Sequence, residues 1–358
     1  MLPSGQAPSN CGTYEERGAR SYSMTLWVWG GFIAIILVLL AIDLGVLNRN
    51  PHAVKAKEAL IWTAVWISLA LAFNVLLYFG YSNHWLGLGQ TVGLPLEGGQ
   101  AALEFFTAYV VEKSLSLDNI FVIAVIFGFF GVPQRFQHKV LFWGILGALV
   151  MRGAMIVGGM ALIHQFEWLT YVFAVMLLAT AAKLMVSQHE AIEPERNPLV
   201  RLTRRFVPVV DDVESGKFFT RVDGKFAVTT MFLVLLLVES TDLLFAIDSI
   251  PACFAVTQDP FLVFTSNIFA ILGLRSLYFA LAAIMDTFRY LKQSLVFLLA
   301  FVGVKMLLVH TEAAIPTWVS LSFIAGILGV GIAASVLALQ RERRNGVKQS
   351  HEVPGDEH

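Results

Sequence analysis

The chain has 358 residues, of which 57% are hydrophobic and 14% are charged, and its mean hydropathy is +0.70. Soluble globular domains carry about 25% charged residues, so this composition excludes an ordinary soluble domain. The formal net charge of −1 excludes a global field that would recruit nucleic acid. The two cysteines, Cys11 and Cys253, allow at most one disulfide and form no CxxC pair.

Apolar stretches long enough to cross a bilayer recur along the chain. A transmembrane helix needs about 20 apolar residues, and nine stretches meet that requirement. They are 26–47, 59–81, 102–130, 139–163, 168–187, 228–251, 261–285, 294–311 and 317–339. The third is long enough to be tilted or broken. We therefore predict an all-α polytopic membrane protein with about nine transmembrane helices. A cleavable signal peptide is not predicted, because the first 25 residues are polar and precede a long apolar run.

The distribution of basic residues predicts the orientation, because cytoplasmic loops collect Lys and Arg. Alternate loops and the C-terminal tail hold eighteen of the 25 Lys and Arg residues, with seven in the loop 188–227. The opposite loops and the N-terminal tail hold only Arg17 and Arg20. This bias places the N-terminus outside the cytoplasm and the C-terminus inside it.

The end of the long loop predicts a small β-hairpin. Asp223-Gly224 separates two runs rich in apolar residues, between Lys217 and Phe226. An Asp-Gly pair in this position is a strong hairpin signal. The expected role of the hairpin is structural, covering the inner ends of the helices.

The two halves that flank the long loop repeat each other. The matching charges are Asp118, Arg152 and Lys183 in the first half and Asp242, Arg275 and Lys305 in the second. Their spacings are 34 and 31 residues in the first half, and 33 and 30 in the second. Three charges in one order at nearly equal spacings predict two three-helix units. An odd number of spans makes the second unit enter from the opposite side, so the repeat is predicted to be inverted, with a site where the units meet.

These features divide the chain into seven regions. The regions are an extracytoplasmic, disordered tail (1–25), two helices with an outer loop (26–100), the first repeat (101–187), the cytoplasmic loop (188–227), the second repeat (228–312), the last helix (313–340) and a cytoplasmic tail (341–358).

Charged residues inside the spans are the candidate functional residues. A charge at the bilayer centre costs at least about 2.5–3.5 kcal/mol, so such residues face the bundle interior and mark ion paths by default. The candidate metal ligands are Glu112, Asp118, Asn119, Glu239, Asp242 and Asp248. Supporting ion-pair or relay roles are assigned to Ser116, Ser240, Thr241, Arg152, Lys183, Arg275 and Lys305. For the basic residues, structural ion pairs between helices are the competing interpretation.

The helical positions of the acids do not converge. Asp118 lies about 120° from Glu112 around the third span, and Asp248 lies opposite Glu239 in the sixth. A straight helix cannot aim all of them at one point. Either the helices unwind near these residues, or the acids have partners on all sides. Pro251 and the Ser-Thr step before Asp242 favour unwinding in the sixth span.

The ligand chemistry favours a hard cation. Carboxylate, amide and hydroxyl oxygens suit Mg²⁺, Ca²⁺ or Mn²⁺. None of the eight histidines falls in the middle of a span, and no cysteine accompanies the acids in the pattern. Zinc and copper are therefore disfavoured as the main substrate. The residues alone predict a transporter of a hard divalent cation and no resident cofactor.

Two motifs give the sequence a family resemblance. Residues 112–121, EKSLSLDNIF, and residues 238–251, VESTDLLFAIDSIP, resemble the TerC family of membrane proteins and its Alx-like branch. The resemblance extends over about 26–340, including the hairpin, Ser266-Asn267 and Arg275. It implies manganese export, an association with tellurium resistance, a place in the lysine-exporter superfamily with inverted three-helix repeats, and the inner membrane of a bacterium. It also implies that the family's acidic residues match the five acids of the candidate site.

Three other functions compete with the transporter. An intramembrane enzyme is disfavoured, because HExxH, GxSxG and a His or Cys nucleophile in the middle of a span are absent from the sequence. A membrane scaffold for metal homeostasis, for metallation of exported proteins or for tellurium resistance stays open. An oxyanion pathway would need basic residues lining the cavity and acids pairing with them. The sequence does not identify the counter-ion, for which protons are one candidate. It also does not identify the oligomeric state.

Overall fold

The computed structural model describes residues 12–47, 56–166, 168–186, 197–222, 224–282, 291–309, 311 and 313–351. Its helices are α1 (Gly12–Leu47), α2 (Ala56–Ser82), α3 (Gly98–Phe129), α4 (Gln134–Gln165), α5 (Leu169–Val186), α6 (Pro198–Phe206), α7 (Thr230–Phe254), α8 (Pro260–Ile271), α9 (Leu274–Ala282), α10 (Leu291–Leu308) and α11 (Thr317–His351). Its strands are β1 (Val209–Val210), β2 (Phe219–Val222) and β3 (Lys225–Thr229), and a short 3₁₀ helix covers Trp85–Gly87.

The chain is predominantly helical and has several helices that can cross a membrane. Among the described residues, six helices are long and apolar enough, namely α1, α2, α4, α5, α7 and α11. A bend of 41° separates α8 from α9, and together they provide up to a seventh crossing. The remaining two predicted spans coincide with α3, which has 32 residues and carries several charges, and with α10, which has 18. The count of nine crossings stays a prediction.

The ends of the chain contain more helix than predicted. Residues 12–25, assigned above to a disordered tail, form the first part of α1, and α11 continues past residue 340 to His351. Hydropathy detects only the segment that fits the bilayer, whereas a helix can continue through Glu, Arg and Ala residues of high helix propensity. Residues 1–11 and 352–358 lie outside the described residues.

Of the two alternatives for the acid-bearing helices, unwinding near the acids is contradicted. Both α3 and α7 are continuous, and Pro251 lies within the last turn of α7. The hydroxyls of Ser240 and Thr241 bond to the carbonyls of Leu237 and Val238, each at 2.9 Å. Because these bonds return to the helix's own backbone, they do not interrupt it. The break lies instead in the next span.

A three-stranded sheet confirms the predicted hairpin and extends it. Strands β2 and β3 are antiparallel, with Val222 opposite Lys225 across the turn. Gly224 has a φ of 77°, a left-handed conformation that glycine adopts without strain. Asp223, the other residue of the Asp-Gly pair, lies outside the described residues. The two-residue strand β1 pairs in parallel with β3 and was missed, because two residues show no alternation.

Helix packing brings the two acid-bearing helices into the middle of the bundle. Helix α3 packs against α2, α7 and α8, while α4 packs against α7 and α5 packs against α10. An aromatic cluster fixes α2 against α3 and α8, with Phe73 ring centroids 4.6 Å from Phe269 and 5.5 Å from Phe105. The acids of α3 and α7 therefore face neighbouring helices.

Candidate functional site

A buried arginine on α4 is the centre of the candidate site. The Arg152 side chain is 1% exposed and forms ion pairs with Glu112 of α3 and Asp242 of α7. Its Nη2 lies 3.0 Å from Asp242 Oδ1, and its Nε lies 3.2 Å from Oδ2. This two-point geometry is the strong form of an arginine–carboxylate pair. One guanidinium therefore joins the two halves of the chain.

Polar side chains from three further positions complete this cluster. Arg152 Nη1 donates to Ser249 Oγ at 3.4 Å and to Asn267 Oδ1 at 3.3 Å. Asn119 Nδ2 donates to Asp242 Oδ1 at 3.2 Å. The oxygens around Arg152 thus come from α3, α7 and α8, and carboxylate, amide and hydroxyl oxygens are ligands that hard cations prefer.

Cys253 is part of this surrounding, although the sequence gave no reason to place it there. Its side chain is fully buried, and its Sγ lies 3.9 Å from Glu112 Oε2. Asn267 Nδ2 donates to the same sulfur at 3.3 Å. One thiol therefore lies within reach of a candidate acid, contrary to the expectation that no cysteine accompanies them.

A cavity of about 480 Å³ lies beside the Arg152 cluster. Its charged and polar lining comprises Glu112, Asp118, Asn119, Arg152, Thr180, Lys183, Thr241, Asp248 and Ser249. Thr180 Oγ1 donates to Asp248 Oδ1 at 3.1 Å, and the charge of Lys183 acts on the same carboxylate. Leu295 and Leu299 of α10 contribute to the apolar remainder of the wall. The cavity is thus lined by elements of both halves.

The structure does not bring all predicted site residues together. The cavity is lined by Glu112, Asp118, Asn119 and Asp248. Asp242 is not part of that lining and contacts Arg152. Glu239 points towards Gly147 of α4. Glu239 Oε2 is buried and has no hydrogen-bond partner among the described residues. In the described part of the chain, no group of three or more His, Cys, Asp or Glu side chains is arranged to hold a metal ion. In this conformation Arg152 already occupies both Glu112 and Asp242 as their shared ion-pair partner.

Some of the predicted supporting residues also line the cavity, and the others lie elsewhere. Arg152, Lys183 and Thr241 line the cavity, whereas Ser240 Oγ accepts a hydrogen bond from Asn197 Nδ2 at 2.8 Å, which ties α6 to α7. Ser116 is buried in α3, and its hydroxyl has no hydrogen-bond partner within the described ranges. Arg275 is buried in α9, where its charge acts on His138 of α4.

A second buried polar cluster lies nearer the start of α3. Glu104 is 7% exposed, accepts a hydrogen bond from Gln100 Nε2 at 2.8 Å and interacts electrostatically with Lys305 of α10. Beside it, Tyr81 Oη donates to Asp259 Oδ2 at 2.8 Å. Glu104 is not among the predicted site residues, although its charge inside the predicted span 102–130 was a signal that could have identified it.

Close packing at Gly147 provides a test of the placement of Glu239. A Cβ atom at Gly147 would overlap the Glu239 carboxylate. We expect Gly147→Ala to be less stable than the control below by about 0.5–1.5 kcal/mol, because the Glu239 carboxylate must leave its preferred side-chain conformation. Thermal unfolding in detergent measures this. Gly158 of the same helix has nothing within 4 Å of such a Cβ, so Gly158→Ala is the control. Equal stability of the two variants would contradict the packing.

Comparisons with known proteins agree with this architecture. A family model described as "Integral membrane protein TerC family" matches residues 97–344, which include both acid-bearing helices. The "Uncharacterized membrane protein STKORF319" of Myxococcus xanthus is 47% identical over 310 residues, covering 87% of this chain and 92% of that protein. The "Putative membrane-bound redox modulator Alx" of Escherichia coli strain K12 is 44% identical over 302 residues, covering 84% and 91%. No solved structure matches the chain. The chain therefore belongs to the TerC family of integral membrane proteins.

Proposed function

We propose that this multi-pass membrane protein is a secondary transporter that exports a divalent metal ion, with Mn²⁺ as its main substrate. The observation that carries the proposal is the convergence of Glu112 and Asp242 on one buried guanidinium beside a cavity of about 480 Å³. Charges inside a membrane are expensive and mark ion paths. Two further acids, Asp118 and Asp248, line the same cavity.

In this arrangement the Arg152 guanidinium occupies the position that a metal cation would take. Its guanidinium lies between two carboxylates, with Ser249 Oγ and Asn267 Oδ1 supplying further oxygens nearby. If the guanidinium moves aside, these groups form an oxygen set of the kind that hard divalent cations prefer. Metal loading and Arg152 pairing are therefore competing states. Return of Arg152 to the carboxylates would release the metal.

Protons are the proposed counter-ion. A carboxylate that gains a proton loses the charge that attracts a dication, so protonation from the acidic outer side favours release. Asp118 and Asp248 are suited to this role because they line the cavity outside the Arg152 pairs. Efflux of Mn²⁺ is then coupled to proton entry.

The proposal includes an inverted repeat in a bacterial inner membrane, with α3–α5 related to α7–α10. The contact of Asn119 with Asp242 supports it, because Asn119 follows Asp118, the predicted counterpart of Asp242. The positive-inside bias places the N-terminus outside and the C-terminus in the cytoplasm. We expect a C-terminal reporter that functions only in the cytoplasm to be active. Activity of a C-terminal reporter that requires the extracytoplasmic side would contradict this orientation.

The function is tested by metal uptake in inside-out membrane vesicles, in which export appears as accumulation. We expect uptake of Mn²⁺ above that of Mg²⁺, Ca²⁺ and Zn²⁺, and a fall when an ionophore collapses the proton gradient. Vesicles without the protein are the control. If no ion accumulates above this control, the buried charges act as structural pairs, and the scaffold becomes the better interpretation.

A further inference from the structure

The break between α8 and α9 exposes backbone carbonyls inside the helical bundle. Helix α8 ends at Ile271, Gly273 has a φ of 79°, and α9 begins at Leu274. In a continuous helix the carbonyls of Ala270 and Leu272 would accept hydrogen bonds from residues four positions later. The 41° bend removes that arrangement. The end of α8 therefore has acceptors that need another partner.

Lys113 of α3 supplies that partner. Its Nζ lies 3.0 Å from the Ala270 carbonyl oxygen and 3.4 Å from that of Leu272. The negative end of a helix dipole and unwound carbonyls are a known combination for binding cations at broken membrane helices. Here, the cation is covalently attached to the protein.

We propose that the break between α8 and α9 is a binding site for a small monovalent cation, which the protein fills with the ammonium group of Lys113. When that side chain is truncated, an ammonium or alkali cation from solution takes its place. This site adjoins Glu112 but contains none of the acids of the proposed metal path, and its existence does not depend on the proposed function.

The filled site also positions the Arg152 cluster. Asn267 lies one turn before Ala270 on α8 and accepts a hydrogen bond from Arg152. Lys113 directly follows Glu112, the other partner of Arg152. The ammonium thus holds the end of α8 against the turn of α3 that carries Glu112. Lys113 is therefore a positioning residue.

The test is chemical rescue of Lys113→Ala, measured as the melting temperature of the full-length protein in detergent. Buffers contain choline, sodium, potassium or methylammonium chloride at equal ionic strength. We expect the variant to melt below wild type in choline and to gain at least about 3 °C in methylammonium, because a ligand that binds only the folded state stabilises it. Wild type, whose site is filled, should change by less than about 1 °C between the salts.

Two variants separate a cation site from a general salt effect. Lys113→Met fills the space without a charge and should melt low in every salt. Lys139→Ala is the matched control, because Lys139 Nζ also donates to a carbonyl, that of Gly216 at 2.7 Å, but away from any broken helix. It should not distinguish the cations. The proposal is overturned if Lys113→Ala shows no cation preference, or if Lys139→Ala shows the same one.

A less disruptive variant covers the case in which Lys113→Ala cannot be purified. Lys113→Asn keeps a polar side chain and adds a third oxygen ligand beside the two carbonyls. We expect it to be stabilised by sodium or potassium over choline. An Asn variant whose melting temperature is the same in all four salts would also overturn the proposal.

Discussion

Replacement of Arg152 by methionine is expected to destabilise the protein more than any other single change considered. The substitution leaves the buried Glu112 and the partly buried Asp242 without their common cation, and their charges then repel each other. Breaking a buried ion pair by removing one partner costs about 3–5 kcal/mol. We expect a loss of that size in the free energy of unfolding and a fall in the amount of folded protein in the membrane. Denaturant unfolding of purified protein measures the first quantity.

A second substitution distinguishes a lost ion pair from lost packing. Adding Glu112→Gln to Arg152→Met removes one of the stranded charges, so the double variant should recover part of the stability. Arg152→Lys keeps the charge but loses the two-point geometry, and it should fall between wild type and Arg152→Met. Arg201→Met on α6, where the side chain is exposed, is the matched control. A stable Arg152→Met variant, or a double variant that is less stable still, would contradict the arrangement.

Replacement of Asp242 or Asp118 by asparagine is expected to reduce Mn²⁺ export at least about tenfold. Asparagine keeps the shape of the side chain but removes the charge that offsets a desolvated dication. The lost interaction is of the size of a hydrogen bond to a charged group, which contributes about 1.5–3 kcal/mol. A factor of ten corresponds to about 1.4 kcal/mol. The variants should still insert, since neutral asparagine is less costly in the membrane than aspartate. Cellular manganese at equal expression is the readout.

Asp212→Asn is the control for these variants. Asp212 lies in the loop between β1 and β2, where hydrogen bonds from Ser215 hold the pKa of its carboxyl below its usual range. It is not among the residues that line the cavity, so its substitution should leave export unchanged. If Asp242→Asn and Asp118→Asn lowered cellular manganese as well as wild type does, the proposed site would be wrong.

The membrane helices, and the presence of acids within them, could be predicted because both depend on local signals. Hydropathy identifies the apolar segments, and a charge such as Glu112 or Asp242 is conspicuous within one. The hairpin was predictable because Asp223-Gly224 is a local turn signal. The family motifs then indicated that the two acid-bearing segments contribute to one candidate site.

The choice of partners could not be predicted, because it depends on how helices pack. Four basic residues were candidates for ion pairs, and only the position of α4 beside α7 shows that Arg152 meets Asp242. The break at Gly273 was missed because a glycine in an apolar run looks like many others that do not bend a helix. The nearness of Cys253 to Glu112 follows from the packing of α7 against α3, which no local pattern reveals.

The central claim is that the protein itself moves a divalent metal ion, and flux into proteoliposomes tests it most directly. Purified wild type and Asp242→Asn would be reconstituted at equal density, with a proton gradient and a Mn²⁺-sensitive dye inside. The account predicts Mn²⁺ flux with wild type that is at least about tenfold faster than with the variant, and that falls when the gradient is collapsed. Equal flux for wild type, the variant and protein-free liposomes would contradict it.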